Sequence, residues 1–197
     1  ELVLLGRDML ILERLLSGKT LSVEHSLFPV ELWQDQIKSP KEGPEFALDF
    51  LRSIDLQSVG FKEIDRLYAS YFDYVLGATA NAFVREYVTF QQNLRNCVAA
   101  LRARQKGLDP SEYLLGEGEV VQILSSSTAE DFGLSLEFPW IESLIKAETP
   151  HERQAMVEQI QWDYLDEHGG PDPFEFRMIL AYLLKLPQRP RPDPDRV

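Results

Sequence analysis

Cysteine, histidine and net positive charge are all scarce in this chain of 197 residues, and each scarcity removes a class of function. A single cysteine, Cys97, cannot build a disulfide framework or a cysteine metal site within one chain, which fits a reducing cytoplasm. The three histidines, His25, His151 and His168, are far apart and none stands in a His-Glu-x-x-His spacing. The Glu-x-x-His pair on two helices that a di-iron bundle requires is also missing. With 20 basic against 32 acidic residues the formal charge is −12, which repels phosphate backbones and anionic headgroups alike. Nucleic acid is therefore not expected as a partner. No run of eighteen apolar residues is present, so direct membrane insertion is not expected, and Leu2 to Leu5 is too short for a signal-peptide core. The chain begins at Glu1 rather than methionine, which leaves room for a native start upstream.

Phosphate chemistry is equally unsupported. There is no Gly-x-x-x-x-Gly-Lys loop, and Gly116-Glu117-Gly118 lacks the third glycine of a dinucleotide-binding turn. Carboxylates remain, chiefly Asp163, Asp166 and Glu167, with Glu130 and Asp131. Such groups do acid–base work only when burial drives their proton affinities apart, and a solvated acidic face is the plainer reading. Cys97 points with Leu94, Val98 and Leu101 along an apolar stripe, which makes it a buried, inert thiol. No cofactor, no metal and no catalysis are expected.

What the sequence does have is helical periodicity. From Leu67 to Gly107 no proline interrupts the chain, and Phe83, Tyr87, Phe90, Leu94, Cys97, Val98 and Leu101 recur in steps of three and four. Tyr68, Tyr71, Phe72, Val75 and Leu76 extend a similar stripe towards the N-terminus. This predicts either one long bent helix, roughly 60 Å if unbroken, or two helices meeting near Gly77 to Asn81. Arg102, Arg104 and Lys106 set positive charge against the helix dipole, and Gly107 supplies the left-handed stop.

Further helices announce themselves by their starts. Ser39-Pro40-Lys41-Glu42, Asp109-Pro110-Ser111-Glu112, Thr149-Pro150-His151-Glu152 and Asp172-Pro173-Phe174-Glu175 each combine a capping side chain, a first-turn proline and a glutamate. The Ser39 start is the weakest, because Pro44 follows and Gly43-Pro44 is a better opening for a helix through Phe46, Phe50 and Leu51. Glu1 to Ser17 is amphipathic through Leu2, Leu5, Met9, Leu12 and Leu16, Ser26 to Gln36 offers Phe28, Leu32 and Trp33, and Glu119 to Leu124 makes a brief helix. Ser127-Thr128-Ala129-Glu130 reads as a further capping box whose helix can hardly pass Gly133, and Leu134 to Phe138 as extended loop. The fold expected is all-α, an irregular helical bundle with one long central helix and about seven or eight helices. One domain covers 1–186, with an N-terminal part at 1–65 and a second part at 66–186. A proline-rich tail occupies 187–197.

Several short words in the long stretch go beyond periodicity. Leu67-Tyr68-x-x-Tyr71-Phe72-x-Tyr74, Asn81-x-Phe83, Asn93-Leu94-Arg95-Asn96 and Arg102-Ala103-Arg104-Gln105-Lys106-Gly107 resemble a family of uncharacterised bacterial proteins associated with V-type (A/V-type) ATPases. That family is similar to the helical central-stalk component of rotary ATPases that couples the rotor to the membrane ring. The likeness continues through Asp131-Phe132-Gly133-Leu134, Trp162-x-x-Leu165-Asp166-Glu167 and Ala181-Tyr182-Leu183-Leu184-Lys185-Leu186, and so covers most of the chain. None of these words is a catalytic signature. The resemblance implies a non-catalytic structural or accessory subunit, with V-type ATPase stalk subunits as partners. Its place would be cytoplasmic, peripheral to the membrane through the complex. The chain departs from that stalk component in being too short for three helical lobes and in running into prolines after Leu186. A soluble helical adaptor unrelated to an ATPase and a carboxylate-dependent helical hydrolase are the rival readings.

Candidate partner-binding residues lie in the middle of the stripe. Asn93, Arg95 and Asn96 surround Leu94, although asparagine is a poor helix former. Arg95 and Arg102 stand seven residues apart, on one side of the helix. Two readings follow: these groups bond neighbouring helices and loops, or they face an acidic or carbonyl-rich partner.

Overall fold

The structure is a computed structural model and describes residues 1–19, 25–170 and 175–185. Among these, nine α-helices follow in the order α1 (Leu2–Leu16), α2 (Val30–Lys38), α3 (Glu45–Ser53), α4 (Phe61–Ala78), α5 (Ala82–Gln105), α6 (Glu119–Ser126), α7 (Ile141–Lys146), α8 (Pro150–His168) and α9 (Phe176–Lys185). A 3₁₀ turn spans Pro110–Tyr113 between α5 and α6. No strand is present among the described residues, so the all-α expectation holds. The Asp172 start and the proline-rich segment 187–197 lie outside the described residues.

The long stripe resolves into two helices. α4 passes through Gly77 and ends at Ala78, where Thr79 turns extended. Asn81 then caps α5, its side chain accepting from the Val84 amide at 3.0 Å. Arg85 secures the joint by donating to the carbonyls of Leu76 and Thr79, so orphan carbonyls at the end of α4 are satisfied from the next helix. The break is thus set by capping rather than by glycine. At its far end α5 stops as expected: Gly107 has φ 68°, and the amides of Gly107 and Leu108 return to Arg104 and Ala103.

The α4–α5 pair is the frame on which the rest packs. α3 and α1 lie on α4, while α6, the 3₁₀ turn, α7 and α8 lie on α5, and α9 closes between α8 and α1. Aromatic rings fill the joins. Phe90 stacks on Tyr164 with centroids 3.8 Å apart and meets Trp140 edge-on, and Phe46 stacks on Tyr74 at 4.7 Å.

Some expected starts fall differently. Ser39 ends α2 rather than opening a helix, and α3 does open after Pro44. Thr149 and Glu152 form the expected capping box at α8. Ser127 terminates α6, and no helix follows, because Phe132 and Gly133 both adopt positive φ. Leu134–Phe138 forms tight turns, with the Glu137 and Phe138 amides both returning to the Leu134 carbonyl. Arg104 explains this irregular stretch, donating to the carbonyls of Ser127 and Ala129 with its guanidinium 3.5 Å from the centroid of Phe132. α7 is only six residues long and carries no sequence signal of its own beyond apolar residues.

The least expected feature is polar. Asp8, in the middle of α1, has no exposed surface. It accepts from the Leu27 amide at 2.9 Å, the Phe28 amide at 3.0 Å and the Trp33 indole at 2.8 Å. Its neighbour Arg7 donates to the His25 carbonyl at 2.7 Å and to the Leu183 carbonyl in the last turn of α9. One pair of adjacent side chains therefore ties α1 to the segment before α2, to α2 itself and to α9.

Burial pushes the Asp8 carboxyl up from its ordinary value, against the three donors that pull it down. Truncating it in Asp8→Ala strands three donors, each worth about 1–3 kcal/mol, while relieving a buried charge. A net loss of about 2–4 kcal/mol in unfolding free energy is expected by denaturant titration. Because the folded value is raised, the Asp8 contribution is fully present below the ordinary aspartate range and declines as pH rises through the raised value. The gap between parent and variant should therefore be widest in acid and narrow towards neutrality. A gap that widens with rising pH would contradict the assignment.

Candidate functional site

The sequence candidates sit on α5, and the structure separates them. Asn96 is fully buried and engaged at both ends of its amide: Oδ1 accepts from the Leu115 amide at 2.8 Å, and Nδ2 donates to the Leu115 carbonyl at 2.9 Å. Gln92, one turn earlier, donates to the same carbonyl at 3.2 Å. The two side chains hold the chain where it leaves the 3₁₀ turn, and the next residue must be glycine. Gly116 has φ 75°, and a Cβ there would collide with the Gln92 amide nitrogen. Asn96 is thus removed from the candidate partner surface, because both its polar atoms are used inside the protein.

Arg95 is also largely spoken for. It pairs with Asp65 on α4 at 2.8 Å, and its guanidinium lies 3.9 Å from the centroid of the Tyr68 ring. Tyr68 in turn donates to Glu13 on α1 at 2.7 Å. The contacts run α5 to α4 to α1, so Arg95 serves the internal reading rather than an outward one. Asn93 is half-buried and makes no side-chain hydrogen bond among the described residues.

Arg102 differs from these. It is exposed and has no carboxylate within ion-pair distance among the described residues. Its guanidinium is held below the ordinary arginine value, first by loss of hydration and then by the positive charges of Arg153 and Arg95. Arg153, in the first turns of α8, is not singled out by sequence, because a lone arginine behind a capping box reads as solvated. Its signal is three-dimensional: only the packing of α8 on α5 brings its charge to bear on Arg102.

The groups considered for catalysis do not converge. Asp131 caps its own turn through Ser135 and the Gly133 amide at 2.9 Å, which hold its carboxyl below the usual range. Asp163 accepts from Gln159 at 2.7 Å, and Asp166 pairs with Lys185. Cys97 is fully buried, and burial, with the charge of Glu137, pushes its thiol up to about 12. His151 is exposed; His168 is half-buried, stacked 4.0 Å from Tyr164. Among the described residues no three His, Cys, Asp or Glu are grouped to hold a metal ion. Two surface clefts, of about 300 and 420 Å³, lie against Leu101, Arg104 and Glu130 and between α3 and α4 beside Arg66. Neither gathers a pair of carboxylates with a histidine.

These assignments make distinct mutational signatures. Arg95→Ala should cost about 1–2 kcal/mol, from a partly screened ion pair and the contact with Tyr68. A double-mutant cycle with Asp65→Ala should recover a coupling of at least about 0.5 kcal/mol. Asn96→Asp, which sets an oxygen against the Leu115 carbonyl, should cost about 2–4 kcal/mol in the same denaturant assay. Near-neutral values for both single variants would show that these side chains are not internal ties.

Comparison with known proteins adds one match. No curated protein and no solved structure matches the chain. A family model described as "Protein of unknown function (DUF2764)" matches residues 18–189, from just after α1 to beyond α9. That span exceeds half of the 197 residues, so the chain belongs to the family described as Protein of unknown function (DUF2764).

Proposed function

We propose that this protein is a non-catalytic helical structural or accessory subunit of a bacterial V-type ATPase, similar to the component that joins the central rotor stalk to the membrane ring. The observation that carries the reading is the work done by the residues of the resemblance. Tyr68 joins α4 to α1, Asn81 caps α5, Asn96 ties α5 to Leu115, and Arg104 holds the loop after α6. The Asn81 cap closes the start of its own helix, the other three ties fix one element against another, and none of the four presents a reactive group. This is the chemistry required of a piece that transmits force or organises an assembly, where stiffness matters more than a reaction.

Partners in this reading are stalk subunits, met through protein surface rather than lipid. No helix among the described residues is long and apolar enough to cross a membrane, so association with the membrane would run through the complex. The decisive test is affinity capture of the full chain from native membranes, with the bound proteins identified by mass spectrometry. V-type ATPase stalk subunits should be enriched over a mock capture. Recovery of the bait without any ATPase subunit above the mock level would overturn the proposal.

A further inference from the structure

The cleft between α3 and α4 holds a cation that the protein leaves unanswered. Its floor is aromatic, Phe46 and Phe50, and its walls carry Asp49 and Ser53 from α3 and Arg66 and Ser70 from α4, around a volume of about 420 Å³. Arg66, Ser70 and Tyr74 stand four residues apart on one face of α4, so the stack of Phe46 on Tyr74 at 4.7 Å continues the same row. Asp49 is already paired with Arg52 at 2.9 Å, and Glu63, one turn before Arg66, accepts from the Gly60 amide at 2.8 Å. Arg66 is exposed and donates to the Ser53 hydroxyl at 3.2 Å. It has no carboxylate within ion-pair distance among the described residues. An apolar floor beside a guanidinium with free donors suits an apolar side chain that has a carboxylate next to it.

The protein carries that pair of groups on another surface. Leu136 is 99% exposed, and its neighbour Glu137 is exposed with no cation within ion-pair distance among the described residues. The turn that presents them is fixed. Phe132 and Leu134 are buried on either side of Gly133, and the amides of Glu137 and Phe138 return to the Leu134 carbonyl at 3.1 and 2.7 Å. A leucine held in water on such a turn gains from burial without a large cost in ordering the chain around it. At this exposure Leu136 does not occupy the cleft of its own chain.

We infer that Leu136 of one copy of this chain enters the α3–α4 cleft of a second copy, where Glu137 pairs with Arg66. The two surfaces are unlike, so every copy offers one of each and the contact is heterologous. The inference goes beyond the reading as an ATPase subunit and needs none of its partners. Copies of charge −12 repel one another at a distance. Salt at about 0.15 M screens that repulsion beyond about 8 Å, while the Arg66–Glu137 attraction acts at contact. One leucine and one ion pair make a small interface, so the association is weak and appears at high protein concentration.

The test is sedimentation velocity of the full chain in salt of about 0.15 M, at protein concentrations up to about 1 mM. The parent should sediment faster as its concentration rises. Leu136→Ser, which removes the inserted side chain, and Arg66→Glu, which reverses the charge of the cleft, should each weaken self-association at least tenfold, while Lys62→Gln should leave it unchanged. All three positions are exposed, so the fold is kept. An equimolar mixture of the Leu136→Ser and Arg66→Glu chains should associate where neither does alone, because the first keeps the cleft and the second keeps the leucine. A parent that stays monomeric over the whole range would overturn the second copy as the occupant. Undiminished association of Leu136→Ser, or a mixture no more associated than its two components, would overturn the pairing of this turn with this cleft. The measurement needs no ATPase component, so its failure is separate from a failed capture.

Discussion

A carboxylate with no exposed surface survives in a protein interior only where donors replace its lost water, and Asp8 is held by three: two amides and an indole. The rest of the architecture leans on this. The segment before α2 has no helical ladder to hold it, and α2 is only nine residues long. Asp8 fixes both to α1, and Arg7, one residue away, reaches the end of α9. Two positions on one helix therefore bring together elements from opposite ends of the chain. The apolar core supplies the larger share of the driving force, but it is non-directional. The buried hydrogen bonds decide which irregular segment lies against which helix.

The same device recurs at each irregular stretch. Asn96 and Gln92 hold Leu115, Arg104 holds the turns from Ser127 to Phe132, and Arg85 holds the end of α4. Polar side chains of α5 thus reach backbone groups that no secondary structure satisfies. Several of the polar residues that carry the family resemblance, Asn96 and Arg104 among them, are therefore spent on the fold. Arg102, on the same helix, is set apart by the lack of such a partner among the described residues.

How much of this was legible in the sequence depended on range. The caps at Thr149 and Gly107 involve residues within a few positions, and the residue type announces the bond. The same local grammar misled at Ser127, because a serine with glutamate three residues on can open a helix only if the next turn is free to form. Here Phe132 and Gly133 take left-handed conformations under the hold of Arg104, more than twenty residues away. Asp8 and Arg7 were invisible for the same reason. The periodicity of α1 says nothing of their bonds, because their partners lie beyond the helix in the chain. Asn96 was noticed for its poor helix propensity, but its role as an internal tie depends on Leu115, which no periodicity identifies. Arg153 became notable only once α8 lay against α5.

The central claim is that buried side chains of helices, rather than local structure, hold the irregular segments in place. Native-state hydrogen exchange measures this directly at three amides outside regular helices: Leu27 and Phe28, bound to Asp8, and Leu115, bound to Asn96. If the claim is right, these three should exchange only through large-scale unfolding, with opening free energies close to those of core amides in α5 such as Leu94 and Cys97. Exchange of the three at rates typical of surface loops, while α5 remains protected, would contradict it.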